Sequence, residues 1–305
     1  MSKYSPEYMT HRNTESLTLN AVKQAIRMQS ILEARVIKCD SDNNLTLDIG
    51  KNIIGIIPFD ELEYHPDGSP VKAASATSRV NRHVKYTPID VRKDGDVFVV
   101  DCSRKQVQKM CYDNYIANLT PGDVIDAYVL KVMNYGIFCD IGCGIVALLP
   151  TNNISVTHIV NPTVELKGIS TLRVVVNSID ENYRVELTHK ELLGTWEEEA
   201  ADFEADDVIY GTVLSVEDYG VFIRLGQNLS GLADVTDFEL KPGDLVSARI
   251  QIIQSKNMKV KLTIIDKIET TEDSCLRFHY RVNESHIKDW VYSTPTAKKQ
   301  IESHF

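Results

Sequence analysis

The 305-residue chain lacks most of the signatures that would assign it to a chemistry. No stretch approaches the roughly 18 consecutive apolar residues of a membrane span, and the polar opening MSKYSPEYMTHRNTES carries no signal-peptide core. Its six cysteines (Cys39, Cys102, Cys111, Cys139, Cys143, Cys275) contain no C-x-x-C pair, and its eight histidines form no H-x-x-H or H-E-x-x-H, so zinc-site spacing is missing. There is no G-x-x-x-x-G-K-[ST] phosphate loop, and the Asp206-Asp207 pair stands at a strand start, where acids are solvated. Net basic charge is missing too: 33 Lys and Arg face 43 Asp and Glu, giving −10, the reverse of a globally basic nucleic-acid binder. These absences leave a reduced cytoplasmic protein with no membrane contact, no catalytic residue, no metal and no cofactor.

What is present is an internal repeat, which fixes the architecture before any other reading. Residues 122–150 (GDVIDAYVLKVMNYGIFCDIGCGIVALLP) align without a gap on 206–234 (DDVIYGTVLSVEDYGVFIRLGQNLSGLAD) at an offset of 84. Tyr135, Gly136 and Phe138 fall on Tyr219, Gly220 and Phe222, and Gly142 falls on Gly226. Strand alternation puts Ile137, Cys139 and Ile141, and likewise Val221, Ile223 and Leu225, on the inner face. Phe138 and Asp140, and Phe222 and Arg224, then share the outer, polar face, with a glycine leaving each phenyl open to approach. An exposed Tyr/Phe pair on a polar sheet face is a stacking platform for unpaired bases.

A weaker copy covers 31–58, with Leu45, Leu47 and Ile49 inward and Gly50 on the Gly142 position. Asn43-Asn44 replaces Tyr-Gly and Thr46 replaces the Phe, so this unit keeps the strands and lacks the platform. Five short strands per unit predict small closed barrels, for which the OB-fold is the natural candidate. The expected class is all-β: three tandem five-stranded OB barrels joined by short helices. The expected organisation is a tail and lead-in helix over 1–30, capped by Thr14, then barrels at 31–104, 120–190 and 205–266. Helical linkers over 105–119 and 191–204 join them, and a docking tail fills 267–305 with a short helix at 296–303. Between Glu191 and Asp207 lie eight acidic residues and no Lys or Arg, so much of the negative excess belongs to a connector. Basic tracks are local: Arg79, Arg82, His83, Lys85, Arg92 and Lys93 in the first unit, and Arg224, Arg249, Lys256, Lys259 and Lys261 in the third. Such tracks give salt-dependent binding to phosphates.

The run G-x-V-x-x-V-x-x-Y-G-V-F-I-x-L…G-L-A-D, from Gly211 to Asp234, resembles the S1-type RNA-binding domain, an OB-fold repeat, and THKELLGTW (188–196) resembles the spacer between such repeats. The resemblance covers roughly 31–265, in the manner of compact three-repeat members from Gram-positive bacteria. It implies binding of single-stranded RNA, messenger RNA included, association with the small ribosomal subunit, and a role in translation. Carried over by position, it implies RNA contacts from Tyr135, Phe138, Asp180 and Arg184 in the second unit and Tyr219, Phe222 and Lys259 in the third, to which the basic positions Arg224 and Arg249 are added. The family's histidine after strand three is Pro58, Pro150 and Asp234 here, and Ser255 replaces an Asp. The alternative reading is a protein-interaction adaptor whose barrels grip partners, suggested by the degenerate first unit and the aromatic tail.

Overall fold

The structure, a computed structural model, describes residues 3–7, 16–269 and 277–305. Three closed five-stranded barrels follow one another along the chain. The first comprises β1 (Leu32–Cys39), β2 (Leu45–Gly50), β3 (Ile53–Ile57), β4 (His83–Asp94) and β5 (Val97–Ser103). The second comprises β6 (Val124–Met133), β7 (Gly136–Gly142), β8 (Ile145–Pro150), β9 (Thr171–Ile179) and β10 (Val185–Thr188). The third comprises β11 (Val208–Glu217), β12 (Gly220–Arg224), β13 (Ser230–Ala233), β14 (Leu245–Gln254) and β15 (Lys259–Ile268). Each closes the same way, its third strand running parallel to its fifth: Ile53 opposite Phe98, Leu148 opposite Glu186, Leu232 opposite Lys261. This is the OB arrangement expected from the repeat.

The alternation read from the repeat holds where it matters. Leu45, Leu47, Ile49, Ile137, Cys139, Ile141, Val221 and Ile223 are all buried in their barrels. Leu225 departs from it: β12 ends at Arg224, Leu225 is half-buried, and Leu229 fills the core instead. The glycine before each aromatic has a different cause from the one expected. A Cβ on Gly136 would sit 2.6 Å from the Leu149 carbonyl oxygen, and one on Gly220 would sit 2.4 Å from that of Ala233. These glycines allow close approach of the neighbouring strand, not of a base.

Helices fill the connections. The lead-in helix α1 (Leu19–Met28) is capped by Thr18, whose hydroxyl accepts the Ala21 N–H at 3.3 Å, and it buries Val22 and Ala25. Thr14, the expected cap, lies outside the described residues and four positions before the observed cap. A short α2 (Ala73–Thr77) crosses the first barrel, and α3 (Lys105–Asn114) lays Val107 and Cys111 into the core of the second. The insert after β8 carries the one-turn α4 (Pro162–Glu165). The acidic connector holds α5 (Trp196–Ala200), started by a capping box in which Thr195 and Glu198 exchange hydrogen bonds. It is no free linker, because Glu191, Trp196 and Glu199 are buried. In the tail, residues 296–303 form no helix; Glu302–His304 (β17) pair with Asp289–Val291 (β16). The tail bridges two barrels, with Val124 N–H donating to Ser285 O at 2.9 Å and Tyr292 Oη donating to Asn228 O at 2.5 Å.

Each barrel is gripped at the turn between its second and third strands. In the first, Leu17 N–H donates to Ile49 O and Lys51 N–H to Ser16 Oγ, both at 3.0 Å. In the second, residues 3–7 reach the turn: Cys143 N–H donates to Ser5 O at 3.2 Å, and Glu7 N–H donates to Asp140 Oδ2 at 2.8 Å. Fully buried Arg104 there donates to both carboxylate oxygens of Glu7, at 2.9 and 3.1 Å. Burial works to raise the Glu7 carboxyl, but Arg104 and Arg79 outweigh it and hold it low, whereas burial and the Glu7 charge push Asp140 up to about 7. In the third, Asn228 is the hub. Its side chain accepts from Val156 N–H at 2.9 Å and donates to Lys190 O at 2.9 Å and Gly194 O at 3.2 Å. Its own N–H donates to Glu199 Oε2 at 3.0 Å.

Glu199 makes this last joint sensitive to pH. Its Oε1 has no hydrogen-bond partner, and burial pushes the carboxyl up to about 7 against the pull of the Asn228 N–H and Arg281. A carboxyl raised in the folded state contributes most below its unfolded value, and that contribution is lost as pH rises through the folded value. The melting temperature of the parent should therefore fall from about pH 5 to about pH 7 and level off above that, and Glu199→Gln, which cannot ionise, should flatten that fall; equal slopes would rule the carboxyl out as its source.

Candidate nucleic-acid interface

The second strand of each platform barrel runs from an open end to the buried joint, and this direction decides which outer side chains remain available. At the open end Tyr135 is 58% exposed and Tyr219 66% exposed. Each ring meets its phenylalanine edge-on: Tyr135–Phe138 at 6.0 Å and 85°, Tyr219–Phe222 at 6.2 Å and 88°. The half-buried Phe138 and Phe222 stand mid-strand. Two positions further on, the strand enters the joint. Asp140 is completely buried, accepting from the Gly142 and Gly144 N–H groups at 2.8 and 3.0 Å. Arg224 is 7% exposed, its guanidinium bound to the buried Glu165 carboxylate and to the His158 carbonyl.

Arg224 is thus a correction to the expected site. Alternation placed it correctly on the outside of the sheet, but the insert of the preceding barrel covers that stretch. A guanidinium held by a buried carboxylate serves the joint rather than a phosphate. The same holds for Asp140, which shares the Phe138 face without reaching solvent.

On the third barrel the phenyl opens onto a cleft of about 480 Å³ lined by Phe222, Leu232, Ile252, Lys259 and Lys261, among others. Lys259 is therefore brought to the same cleft as Phe222. Arg249 lies outside the cleft, exposed on β14 opposite Val208 and Thr263. Lys261 pairs with exposed Asp234 at 3.2 Å and faces Leu232 across the parallel ladder. Leu232 was missed in the sequence reading, as was its counterpart Leu148. The signal was the outward position on the third strand, where Leu232 follows the polar Ser230; Leu148 follows Val146 and gave no such contrast.

The second barrel builds the same face with different charges. Phe138 lies between Lys131 and Leu148, and Leu148 lies opposite Glu186, where the third barrel has Lys261. Conversely, Lys131 replaces Ser215 beside the phenyl. Its last hairpin is shaped by Asp180, whose Oδ1 accepts the N–H groups of Asn182 and Arg184, both at 2.8 Å. Asp180 is therefore a turn former, and the Arg184 guanidinium extends from that turn to Asp67 of the first barrel at 3.0 Å.

The model of the S1 RNA binding domain family matches residues 118–190, the span of this second barrel. The second barrel is an S1 domain. The chain resembles S1-type proteins, ribosomal protein S1 among them. Small ribosomal subunit protein bS1 of Staphylococcus epidermidis is 28% identical over 203 residues, 61% of this chain and 51% of that protein. The protein of the same name from Staphylococcus aureus (strain COL) is 29% identical over 164 residues, 50% of this chain and 42% of its own length. The chain spans about half the length of the curated relatives it matches. A solved multidomain protein with nucleic acid binding domains from Streptococcus pneumoniae overlaps 78% of this chain and 74% of its own at 13% identity, with a TM-score of 0.26. Among the described residues no helix is long and apolar enough to cross a membrane, and no group of three or more His, Cys, Asp or Glu could hold a metal.

The environments of Arg224 and Lys261 separate joint from surface in the third barrel. Arg224→Met should cost about 3 kcal/mol in denaturant unfolding, because it strands the buried Glu165 carboxylate. Lys261→Met should stay within about 0.5 kcal/mol of the parent, as exposed substitutions do; a similar loss for both would mean Arg224 is not paired.

Proposed function

We propose that the chain binds single-stranded RNA on the outer faces of its second and third barrels and acts in translation as a cytoplasmic, non-catalytic S1-type protein, on messenger RNA or at the small ribosomal subunit. The observation that carries this reading is the twice-repeated edge-on Tyr/Phe pair at the open end of the second strand. In the third barrel it adjoins a cleft with Lys259 and Lys261 on its wall. Bases stack on aromatics with little regard for identity, each contributing about 1–3 kcal/mol, while lysines follow the phosphates. The family match and the bS1 relatives support the same class of ligand. Tyr135, Phe138, Tyr219, Phe222, Lys259, Lys261 and Lys131 are the residues assigned to RNA, with Arg184 at the edge of the second face and Arg249 at that of the third.

The charge difference between the faces ranks them. Lys131 is offset by Glu186 on the second face and Lys261 by Asp234 on the third. Lys259, however, stands on the third face at the position of Arg184, which Asp67 holds on the second, so the third barrel should bind more tightly. Fluorescence anisotropy with an unstructured RNA of about 15 nucleotides, matched to barrel site sizes, tests this at two salt concentrations with DNA of the same sequence as competitor. Phe222→Ala should weaken binding at least about fivefold and more than Phe138→Ala, with the double variant losing most of the affinity. Unchanged binding in the double variant would sink the stacking reading; no binding by the parent at low salt would favour the protein-adaptor reading.

A further inference from the structure

The first barrel has Thr46 where the others carry the phenyl, yet it touches the second barrel's RNA edge. Its loop after β3 forms a tight turn: Gly68 N–H donates to His65 O at 3.0 Å, and Ser69 N–H donates to Asp67 Oδ1 at 3.0 Å. The other carboxylate oxygen, Oδ2, accepts from the Arg184 guanidinium at 3.0 Å. The hydrogen bonds from Ser69, and then Arg184, hold the Asp67 carboxyl down to about 2, so it is ionised at any working pH. A ladder of rings fixes the same contact. Tyr64 of the loop meets Tyr112 of α3 at 5.7 Å, and Tyr112 meets Tyr183, the neighbour of Arg184, at 6.1 Å. Asp180 clamps the far side of the hairpin through the Arg184 N–H. Loop and hairpin are therefore both pre-shaped, and what they present to one another is a single carboxylate and a single guanidinium, the latter 71% exposed.

We infer that Asp67 of the first barrel is an affinity-setting residue for RNA on the second, holding the Arg184 guanidinium that would otherwise be free to take an RNA phosphate. This rests on the RNA reading of the second barrel. An exposed ion pair of this kind is weak, so a phosphate, which can engage the guanidinium through two parallel hydrogen bonds, displaces the carboxylate at small cost. The degenerate barrel then acts on RNA without a platform: it lowers the resting affinity of its neighbour and releases one cation when RNA arrives. Tyr64, Tyr112 and Tyr183 keep the hairpin in place whether or not the ion pair is made.

The test uses the full chain with Asp67→Asn, Asp67→Glu, Arg184→Gln and the Asp67→Asn/Arg184→Gln double variant, titrated against the same labelled RNA over a range of salt. Asparagine keeps the acceptor that the Ser69 N–H needs and replaces the charged oxygen facing Arg184 with an amide NH2, which cannot hold a guanidinium. Asp67→Asn should tighten binding about two- to fivefold at low salt. Arg184→Gln, which removes one phosphate contact, should make the dependence of log affinity on log salt shallower by about 0.7, the value of one cation on a single strand. Asp67→Glu, which restores the carboxylate, should return affinity to the parent's. In the Arg184→Gln background the asparagine change should have no effect. An equal gain in both backgrounds would show Asp67 acting only as a diffuse negative charge, and no gain in either would show that the guanidinium is not a phosphate contact; both results overturn the inference. Failure of the parent and every variant to bind RNA would instead overturn the RNA reading itself.

Discussion

Everything available to a ligand on this chain depends on where the barrels are held. Each is gripped at the turn joining its second and third strands, by chain that precedes it: Ser16 and Leu17 on the first, residues 3–7 with Arg104 on the second, Ser155 to Glu165 on the third. A closed barrel offers no edge to pair with, so its neighbours must take hold of a loop. The turn is suited to this because it leaves backbone groups unpaired by the ladder, which the incoming segment satisfies. The second strand, leaving that turn, carries its outer side chains from a buried end to an open one. The aromatic pair sits at the open end in both later barrels.

The joints are polar, and their satisfaction is nearly complete. Asn228 uses its backbone N–H and carbonyl and both ends of its amide, and Glu7 accepts from Arg104 and Lys85 while donating to Asp140. Such networks are costly when incomplete, so each geometry tolerates few alternatives. Close backbone approach reinforces them: a Cβ on Gly144 would collide with the Arg104 guanidinium, and one on Gly226 with the Glu199 carboxylate. The acidic connector, far from holding the barrels apart, supplies Glu191 and Glu199 to this packing. The tail adds Trp290 and Tyr292 to the apolar cluster of the third barrel.

The two platforms are copies in their rings and opposites in their charges. Lys131 and Glu186 flank the phenyl face of the second barrel, where Ser215 and Lys261 stand in the third. The first barrel reaches the edge of the second through Asp67 at Arg184. A strand of RNA lying on both would meet a cleft where two lysines outnumber Asp234 and a face where Lys131 is offset by Glu186. The chain's negative net charge is compatible with this, since the field at a cleft is set by nearby groups rather than by the total.

The sequence by itself determined the barrels, their number and their inner faces, because a gapless repeat with strand alternation admits few other arrangements: Leu47, Cys139 and Ile223 are buried as that alternation requires. It also determined the exposed Tyr135 and Tyr219 and the absence of a platform in the first unit, which depend only on side-chain identity at a strand position. Only the tertiary structure decided the fates of Arg224, Asp140 and Arg184. Alternation says on which side of a strand a residue lies, but not what else packs on that side. Glu165 lies 59 residues from Arg224, and Asp67 lies 117 from Arg184. Glu7 is 133 residues from Asp140. No local pattern encodes such pairings; they exist because three closed barrels, each held at one turn, bring distant loops onto faces that a strand alone would have left to solvent.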